Sequence, residues 1–575
     1  MPSCFTALTL CPVSSLEKIF PDSDVFSIPE YTGYTVLKGE TLSFQIAYRM
    51  YPTQYVDMFP SQDGNIPFED GRYRISVSGP LEVTIRKVSL IPSMLPAYPD
   101  HDPNYLRAEP GLFPDLLSQD GCSRSSAMIH ALPSCWQSLW IDVEIPPKFS
   151  PGTYSFIIHA ADFSGAVKKE RSVTVEVIDA VLPKLPIVHT EWFSYDCIAD
   201  YYGAPPFSER FWSIMEAFIR TAVRRNINTI LTPIFTPPLD TAVGGERTPV
   251  QLIGIARTGG EWSFDFTNLD RFVRLCLTLG IEYFEMAHLF TQWGAKCAPN
   301  IYVQEDGNTI HAFGWHTPAC KAEYREFLHA FLPALTKRLH TLGIADKTWF
   351  HISDEPSADT LDDYRAAKEM VSGYLSGFPI VDALSHVEYY RQGICSHPVP
   401  STSHVHEFLK EDVPGLWTYY CCGQGVDVSN VFFAMPSARN RILGVQLYLY
   451  RIAGFLHWGY NFYHSALSLY PINPFTTTDA GGAFPSGDAF LVYPGKDGRP
   501  LESIRLMVQS EAFQDLRALT LLESRIGFEA VKELIEEGFG PITFFSYPKS
   551  PAYLLELRRK VNQKLKETNS PDQTG

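Results

Sequence analysis

The stretch KTWFHISDEP, residues 347–356, begins with aromatic and apolar residues and ends on an acidic pair followed by proline. It comes directly after a helical pattern that Gly343 closes, so its apolar part is typical of a buried parallel strand. Pro356 has no amide hydrogen and biases the residue before it toward extended backbone. We therefore predict that Asp354 and Glu355 end this strand, with Glu355 extended.

On both sides of this stretch, strand-like and helical segments alternate from about Ile187 onward, which is typical of βα units around a parallel sheet. The pattern predicts a (β/α)8 barrel of the TIM type over residues 184–495, in which the acidic pair ends the fourth strand. After the first strand, which begins at Ile187, the strand candidates are Asn228–Phe235, Ile281–Ala287, Lys347–Ser353, Pro379–Leu384, Pro398–Ser401, Leu416–Cys421 and Gly454–Asn461.

The two ends of the chain have different patterns. Before residue 183, apolar residues alternate with polar ones, as at Leu42, Phe44 and Ile46, which predicts an N-terminal β-sandwich over residues 1–183. Past about Gly495 the pattern becomes helical, so a C-terminal helical extension over residues 496–575 is expected. The chain is thus predicted to be multidomain, with a β domain, an α/β domain and a mainly helical extension.

Composition limits the classes of partner. The formal net charge of the 575 residues is −17, which argues against a broad basic surface for phosphate backbones, so we expect no nucleic acid. Apolar stretches stay shorter than a membrane-spanning helix needs, so no membrane span is expected. Aromatic residues make up 13% of the chain, and their flat faces can stack on sugars. Homo-oligomerisation is left open.

Eleven cysteines are scattered along the chain without the paired spacing of a zinc site. His404 and His406 could in principle serve as metal ligands, but they fall in a segment with weak strand character. We therefore expect no metal and no cofactor. Residues 1–15 carry no Lys or Arg, so no signal peptide is predicted, and unpaired thiols favour a cytoplasmic location.

The acidic pair is the candidate for chemistry. In parallel barrels, reactive groups come from the carboxyl ends of strands, where loops open to solvent. Two adjacent carboxylates raise one another's pKa, and a general acid that works near neutrality needs such a rise. The alternative interpretation is structural: Asp354 caps the following loop and Glu355 is solvated.

The segment His351–Pro356 resembles the catalytic strand end of glycoside hydrolase family 123, the β-N-acetylgalactosaminidases. Four further segments resemble the same family in the same order, and together they cover most of the chain. They are PGTY (151–154), GFLHWG (454–459), GDAFLVYPG (487–495), and ESIR (502–505) with Gln514-Asp515.

The resemblance implies an exo-acting enzyme that retains anomeric configuration by substrate-assisted catalysis, an exception to the usual two-carboxylate scheme. The sugar's 2-acetamido oxygen would attack the anomeric carbon, while Asp354 accepts a hydrogen bond from the acetamido N–H. Glu355 would protonate the leaving oxygen and then activate water. A barrel glycosidase of other specificity, such as a β-N-acetylglucosaminidase, and a non-catalytic carbohydrate-binding protein stay open as alternatives.

Aromatic residues and one histidine at strand ends are candidates for the walls of a sugar pocket, although each could equally be core. A glycan or oligosaccharide is the expected partner. The candidate substrate-binding residues are Trp458, Tyr419 and Trp417 on the last two strands, His288 and Trp293 after the third, and Trp192 and Tyr195 after the first.

Overall fold

The computed structural model describes residues 8–24, 29–50, 71–133 and 135–569. Its N-terminal part consists of two five-stranded sheets, with strand orders β1-β3-β8-β5-β6 and β2-β10-β9-β4-β7. The strands are β1 (Leu8–Ser14), β2 (Gly33–Lys38), β3 (Thr41–Met50), β4 (Arg72–Ser78), β5 (Val83–Ser93), β6 (Gly111–Ser118), β7 (Ser126–His130), β8 (Gln137–Glu144), β9 (Gly152–Ala161) and β10 (Val167–Val181).

The alternation predicted for this part is present in the two facing sheets. Phe44 and Ile46 of β3 and Ile75 of β4 are buried in one apolar cluster with residues of β8, β9 and β10. Side chains on alternate positions of a strand point to one face, so the apolar set of each sheet is buried against the other. The predicted β-sandwich is therefore seen, while the exact domain boundaries at residues 183 and 495 stay predictions.

The later strands are short, and most neighbouring strands pair over only two to five residues. The described residues also form twelve α-helices. The strands are β11 (Val188–Glu191), β12 (Thr229–Thr232), β13 (Gly254–Thr258), β14 (Glu261–Asp265), β15 (Tyr283–Met286), β16 (Ile301–Glu305), β17 (Asn308–Phe313), β18 (Thr348–Phe350), β19 (Val381–Ala383), β20 (His397–Val399), β21 (Trp417–Tyr420), β22 (Gly454–His457), β23 (Val492–Pro494) and β24 (Pro500–Glu502).

The helices follow the predicted apolar stripes, and three of them end on glycines in the left-handed conformation. They are α1 (Tyr195–Tyr202), α2 (Glu209–Arg224), α3 (Thr267–Leu279), α4 (Ala322–Leu342), α5 (Leu361–Ser372), α6 (Glu388–Arg391), α7 (Val405–Leu409), α8 (Ser437–Arg441), α9 (Leu443–Leu449), α10 (Ile504–Ile526), α11 (Phe528–Glu536) and α12 (Pro551–Glu567). None of the described helices is long and apolar enough to cross a bilayer.

Six of the parallel strands form one curled sheet in the order β18-β15-β12-β11-β22-β21. A separate parallel pair, β19-β20, lies between the two edges of this sheet and contacts them through single bridges, Phe350 to Ile380 and Ser401 to Tyr419. The predicted (β/α)8 barrel is thus confirmed only in part: the eight strands occur where predicted, but the hydrogen-bonded ladder is interrupted on both sides of β19-β20.

Two sheets were not predicted, and the smaller of them is the pair β23-β24. Strands β13, β14, β16 and β17 form a four-stranded layer in the order β14-β13-β16-β17, inserted in the loops that follow β12 and β15. These strands are only five or six residues long and largely exposed on one face, so their apolar alternation is too short to separate from loop sequence.

Helix α10 connects the C-terminal extension to the other two parts. Arg505, at its start, is 2% exposed and forms two hydrogen bonds to Asp115 of β6, with Nε to Oδ1 at 2.9 Å and Nη2 to Oδ2 at 3.0 Å. Its Nη1 also donates to the carbonyls of Gly487 and Phe490, both at 2.7 Å. A bidentate pair buried this fully orients sandwich, helix and loop relative to one another.

We expect Arg505→Ala to lower the free energy of unfolding by about 3–5 kcal/mol, because it leaves the buried Asp115 carboxylate without a counter-ion. The measurement is the shift of the urea midpoint and of the melting temperature. The control is Arg499→Ala, whose side chain is 81% exposed and 3.7 Å from Asp497, and which should change stability by about 0.5 kcal/mol or less. Equal effects of the two substitutions would contradict this assignment.

Candidate active site

The acidic pair lies where the β18 segment stops being extended. Both carboxylates are partly exposed, whereas His351, Ile352 and Ser353 before them are fully buried. Glu355 has a φ of +41°, and its N–H donates to the carbonyl of Ala383 at 3.0 Å. Strand β18 ends at Phe350, earlier than the predicted end at Asp354 and Glu355. The predicted extended conformation of Glu355 is wrong: its left-handed backbone turns both side chains toward the same space.

A neighbouring loop fixes this strand end from the other side. Trp293 also has left-handed backbone, with a φ of +62°, and its N–H donates to the carbonyl of Asp354 at 2.7 Å. The Ser353 hydroxyl donates to the carbonyl of Thr291 at 2.9 Å and accepts from two further amides of the loop. Non-glycine residues in this conformation are strained and cluster at functional sites, where the surrounding bonds hold them.

A cavity of about 160 Å³ opens over the pair. Both carboxylates line it, together with a wall of aromatic side chains, and Trp458 meets Phe484 edge to face at 5.6 Å. Of the nine residues predicted from the sequence, six line this cavity: Asp354, Glu355, Trp192, Trp293, Tyr419 and Trp458.

The other three predicted residues do not line this cavity, which corrects the expectation. Trp417 points to the same side of β21 as Tyr419 but lies two residues earlier in the strand. It therefore packs against Trp349 at the amino-terminal end of the strands, below the cavity. Tyr195 is buried in α1 and donates to the carbonyl of Leu231. His288 is buried and stacks on His351 at 4.5 Å.

The structure adds lining residues that the sequence analysis missed. Asp240 lies in the loop after β12, and Gln292 lies directly before Trp293. Asp240 could have been considered a candidate because it is an acid in a loop that follows a parallel strand. The loop carries no sequence motif, however, that distinguishes Asp240 from the other acidic residues of the chain. The remaining lining residues are Leu239, Ala383, Cys421, Cys422, Leu456 and Phe484.

The two carboxylates have different surroundings. Burial and the adjacent Glu355 carboxylate raise the pKa of the Asp354 carboxyl well above its usual range, and the His351 charge opposes this rise. Glu355 Oε1 accepts a hydrogen bond from the Tyr419 hydroxyl at 2.5 Å, while the Cys421 thiol lies 4.0 Å from the same oxygen. A charge on Glu355 therefore disfavours ionisation of the neighbouring Asp354 carboxyl.

Behind Asp354 lies a buried ionic cluster. His351 sits between Glu285, with Nε2 to Oε1 at 3.3 Å, and Asp382, with Nδ1 to Oδ1 at 3.4 Å, and these carboxylates raise its pKa to about 9. The Asp382 carboxylate also accepts from the amide of Ile352 and the hydroxyl of Tyr364. The positive charge of His351 therefore lies directly beneath the acidic pair.

Two groups among the described residues place three ligand-type atoms within 4.8 Å of one another: Asp196, Cys197 and His464, and His288, His351 and Asp382. In the first group, Arg247 already binds both Asp196 oxygens, at 2.6 and 2.7 Å. The second group carries the ion pair of His351 described above. Ion pairs therefore engage Asp196 in the first group and His351 and Asp382 in the second, whereas both ring nitrogens of His288 have no hydrogen-bond partner among the described residues. His404, weighed as a ligand above, bonds to Ser401.

The segments 454–459 and 487–495 meet beside the cavity. The indole of Trp458 donates to Asp488 Oδ2 at 3.0 Å, and His457, which hydrogen-bonds Glu191 at 2.7 Å, lies 4.0 Å from Asp488 Oδ1. A Cβ on Gly459 would come within 2.3 Å of the Asp488 carbonyl, so only glycine permits this approach. Burial raises the pKa of the Asp488 carboxyl to about 7.

The catalytic-domain model of glycoside hydrolase family 123 matches residues 192–522. The structure of a family 123 glycoside hydrolase from Clostridium perfringens, which concerns glycolipid glycan hydrolysis, superposes with a TM-score of 0.69 at 16% identity, covering 98% of this chain and 97% of that one. At this identity the likeness shows the fold alone. No curated protein matches the sequence.

Other glycosidase structures are more distant. A Parabacteroides merdae β-glucuronidase has a TM-score of 0.30 at 9% identity, over 89% of this chain and 52% of that one. A family 5 mannosidase from Rhizomucor miehei has a TM-score of 0.33 at 12% identity, over 58% of this chain and 94% of that one. Neither superposition supports an argument about this site.

An acidic pair that follows a parallel strand and faces a small cavity with aromatic walls is an arrangement that suits a glycoside hydrolase. The matched family model spans more than half of the sequence and includes every residue that lines the cavity. The chain belongs to glycoside hydrolase family 123, as the resemblance of its segments predicted.

We expect the stability difference between Asp488→Asn and the parent protein to depend on pH. The folded pKa of about 7 lies above the usual 3.8, so the folded state binds the extra proton and the parent loses stability as pH rises between these values. Asparagine has no such loss and can still accept from Trp458. Relative to the parent, the variant should gain about 1–3 kcal/mol in unfolding free energy between pH 5 and pH 8.

Urea unfolding at both pH values measures this difference, and the exposed Asp359→Asn serves as the control. A stability difference that stays constant, or one that shrinks as pH rises, would contradict a neutral Asp488 in the folded protein.

Proposed function

We propose that this family 123 glycoside hydrolase is an exo-acting β-N-acetylgalactosaminidase that uses the 2-acetamido group of its substrate as the nucleophile. One observation carries the proposal: the adjacent carboxylates of Asp354 and Glu355 face one small cavity from the same strand end. A retaining enzyme with its own nucleophile needs two carboxyl groups on opposite sides of the anomeric carbon, about 5–5.5 Å apart. Adjacent acids suit a substrate that supplies the attacking oxygen itself.

In the proposed mechanism the pair holds one proton before the sugar binds, because burial and the adjacent charge raise the pKa of Asp354. The acetamido N–H donates to Asp354 and stabilises its charged form, so the proton passes to Glu355. Glu355 then protonates the leaving oxygen as the acetamido oxygen attacks the anomeric carbon, and Asp354 stabilises the oxazolinium charge. In the second half, Glu355 takes a proton from water, which attacks the same carbon.

The Tyr419 hydroxyl supports this role of Glu355. Its hydrogen bond to Oε1, at 2.5 Å, orients the carboxyl and leaves the other oxygen for the glycosidic bond. Burial and the Glu355 charge raise the pKa of Tyr419 well above its usual range, so it acts as a donor at neutral pH. Glu355 is thereby positioned before the substrate arrives.

The charge of the cavity favours a neutral sugar. Asp240, Asp354 and Glu355 line it, and the lining set given above contains no Lys, Arg or His. An acidic wall of this kind repels sugars that carry a carboxylate or sulfate at the reacting ring. Aromatic rings of Trp192, Trp293 and Trp458 offer apolar surface for the ring faces of an uncharged amino sugar.

We infer that the eight parallel strands work as one (β/α)8 barrel, because the two single bridges join β19-β20 to both edges of the curled sheet. The pair and Tyr419 then lie at the carboxyl ends of strands, as in other barrel enzymes. We further propose a cytoplasmic location, which the ten described cysteines support because all are unpaired.

The substrate proposal predicts that the 4-nitrophenyl glycoside of β-N-acetylgalactosamine is hydrolysed and that the first product is the β anomer, because two inversions at C1 give retention. The matching β-galactoside, which lacks the acetamido group, should react at least about 100-fold more slowly. Absorbance assays give the rates, and proton NMR during early turnover gives the anomer. Equal rates for the two glycosides would exclude participation of the acetamido group.

The roles of the pair predict distinct effects of two substitutions. Glu355→Gln should lower kcat by about 10²- to 10⁴-fold for poor leaving groups, which need protonation, and far less for 4-nitrophenolate. Asp354→Asn should lower the rate for all leaving groups, because the positive intermediate loses its carboxylate. Steady-state rates across a series of aryl leaving groups separate the two patterns.

Glu326→Gln, an exposed acid on α4, is the control and should leave these rates unchanged. If all three variants cleave every glycoside as the parent does, Asp354 and Glu355 have no part in the mechanism. If the parent binds N-acetylgalactosamine without cleaving any glycoside, the alternative of a non-catalytic binding protein is favoured instead.

A further inference from the structure

Gln292 presents an unused acceptor at the cavity wall. Its side chain is 3% exposed, and its Nε2 donates to the carbonyl of Thr241 at 2.8 Å, which fixes the orientation of the amide. Its Oε1 is buried and has no hydrogen-bond partner among the described residues. A buried acceptor without a partner costs free energy, and this one belongs to a residue that lines the cavity.

Asp240, next to Thr241, brings a second acceptor to the same wall. Its Oδ2 accepts from the amide of Leu467 at 3.0 Å, and its Oδ1 has no hydrogen-bond partner in the described part of the chain. The Ser468 hydroxyl donates to the Asp240 carbonyl at 2.7 Å. Asp240, Leu467 and Ser468 all have left-handed backbone, with φ between 40° and 60°.

The contact between Asp240 and the Leu467–Ser468 loop holds the Asp240 carboxylate half-buried, which costs free energy. Three strained non-glycine residues exchange hydrogen bonds across two loops, and the result is that Asp240 faces the cavity. Burial raises the pKa of Asp240 to about 6, which is the electrostatic cost of this placement.

The contacts give an order of polar groups along the wall. Glu355 is followed by Asp354, whose carbonyl accepts from Trp293, and Gln292 precedes Trp293. Gln292 bonds to Thr241, which is adjacent to Asp240. Under the proposed function, Glu355 acts at C1 of the sugar and Asp354 at the C2 acetamido group. If the same order continues around the ring, Gln292 comes next, toward C3, and Asp240 follows, toward C4.

We infer that Asp240, together with Gln292, binds the hydroxyls on the far side of the reacting sugar ring and that Asp240 accepts the hydrogen bond of the C4 hydroxyl. This inference rests on the proposed function and deepens it, because C4 is the carbon at which N-acetylgalactosamine and N-acetylglucosamine differ. Asp240 is then the specificity-determining residue of the site. A carboxylate held for one hydroxyl discriminates strongly against a sugar that leaves it unpaired.

The test is an enzyme-by-substrate cycle with three 4-nitrophenyl glycosides: β-N-acetylgalactosaminide, its 4-deoxy analogue and its C4 epimer, the β-N-acetylglucosaminide. Parent kcat/KM should fall roughly 10- to 100-fold from the first substrate to the 4-deoxy analogue, the loss expected for a hydrogen bond to a charged acceptor. In Asp240→Asn, which keeps an oxygen for the Leu467 amide, this difference should shrink to about threefold or less. Preference over the C4 epimer should shrink with it.

Ser468→Ala is the matched control, because it loosens the same loop through the Asp240 carbonyl and leaves both acceptors in place. It should lower kcat/KM for all three substrates by one common factor. Asp240→Asn would overturn the inference if it too lowered all three equally: a small common factor would make Asp240 a loop anchor, and a very large one would place it in the chemistry at C1.

Binding of the free sugars, measured by calorimetry, separates this inference from the proposed function. If the parent binds N-acetylgalactosamine more tightly than its 4-deoxy analogue, and Asp240→Asn abolishes the difference, the inference stands even when no glycoside is cleaved. If the glycosides are cleaved without any coupling between Asp240 and the C4 hydroxyl, the function stands and the inference fails. A parent that neither binds nor cleaves these sugars contradicts both.

Discussion

The site depends on a break in one strand. Neighbouring residues of a regular strand point to opposite faces, so Asp354 and Glu355 can face one cavity only where the extended backbone stops. The left-handed φ of Glu355 makes that break, and two amide hydrogen bonds hold it: Glu355 to the Ala383 carbonyl, and Trp293 to the Asp354 carbonyl.

Holding two carboxylates together in a partly buried site costs electrostatic free energy, and the surroundings offset part of it. The charge of His351 lies below the pair and is itself fixed between Glu285 and Asp382. The same low-dielectric surroundings strengthen the attraction of His351 and the repulsion between the acids. The balance leaves the pKa of Asp354 raised, and perturbed pKa values of this kind cluster at functional sites.

The sequence predicted the parts of the site that local pattern determines. The strand ending at Asp354 follows from an apolar run, an acidic pair and proline, and the aromatic residues Tyr419 and Trp458 follow from their place at strand ends. The pattern could not show that Trp417 lies too deep to reach the cavity, because a strand of four residues leaves the depth of each side chain undetermined. Asp240 was missed since its position depends on contacts with Leu467, more than two hundred residues away.

For the fold, too, the sequence predicted what depends on local pattern and missed what depends on tertiary contacts. Alternation and helical stripes depend on neighbours in sequence, so the sandwich and the eight parallel strands were found, whereas ladder closure around β19-β20 depends on tertiary packing. This limit also applies to specificity. Under the proposed function, the two acids that act at C1 and C2 come from one strand end, whereas Asp240 and Gln292 come from loops after two other strands. A substitution in those loops could then change which sugar is bound without moving the acidic pair.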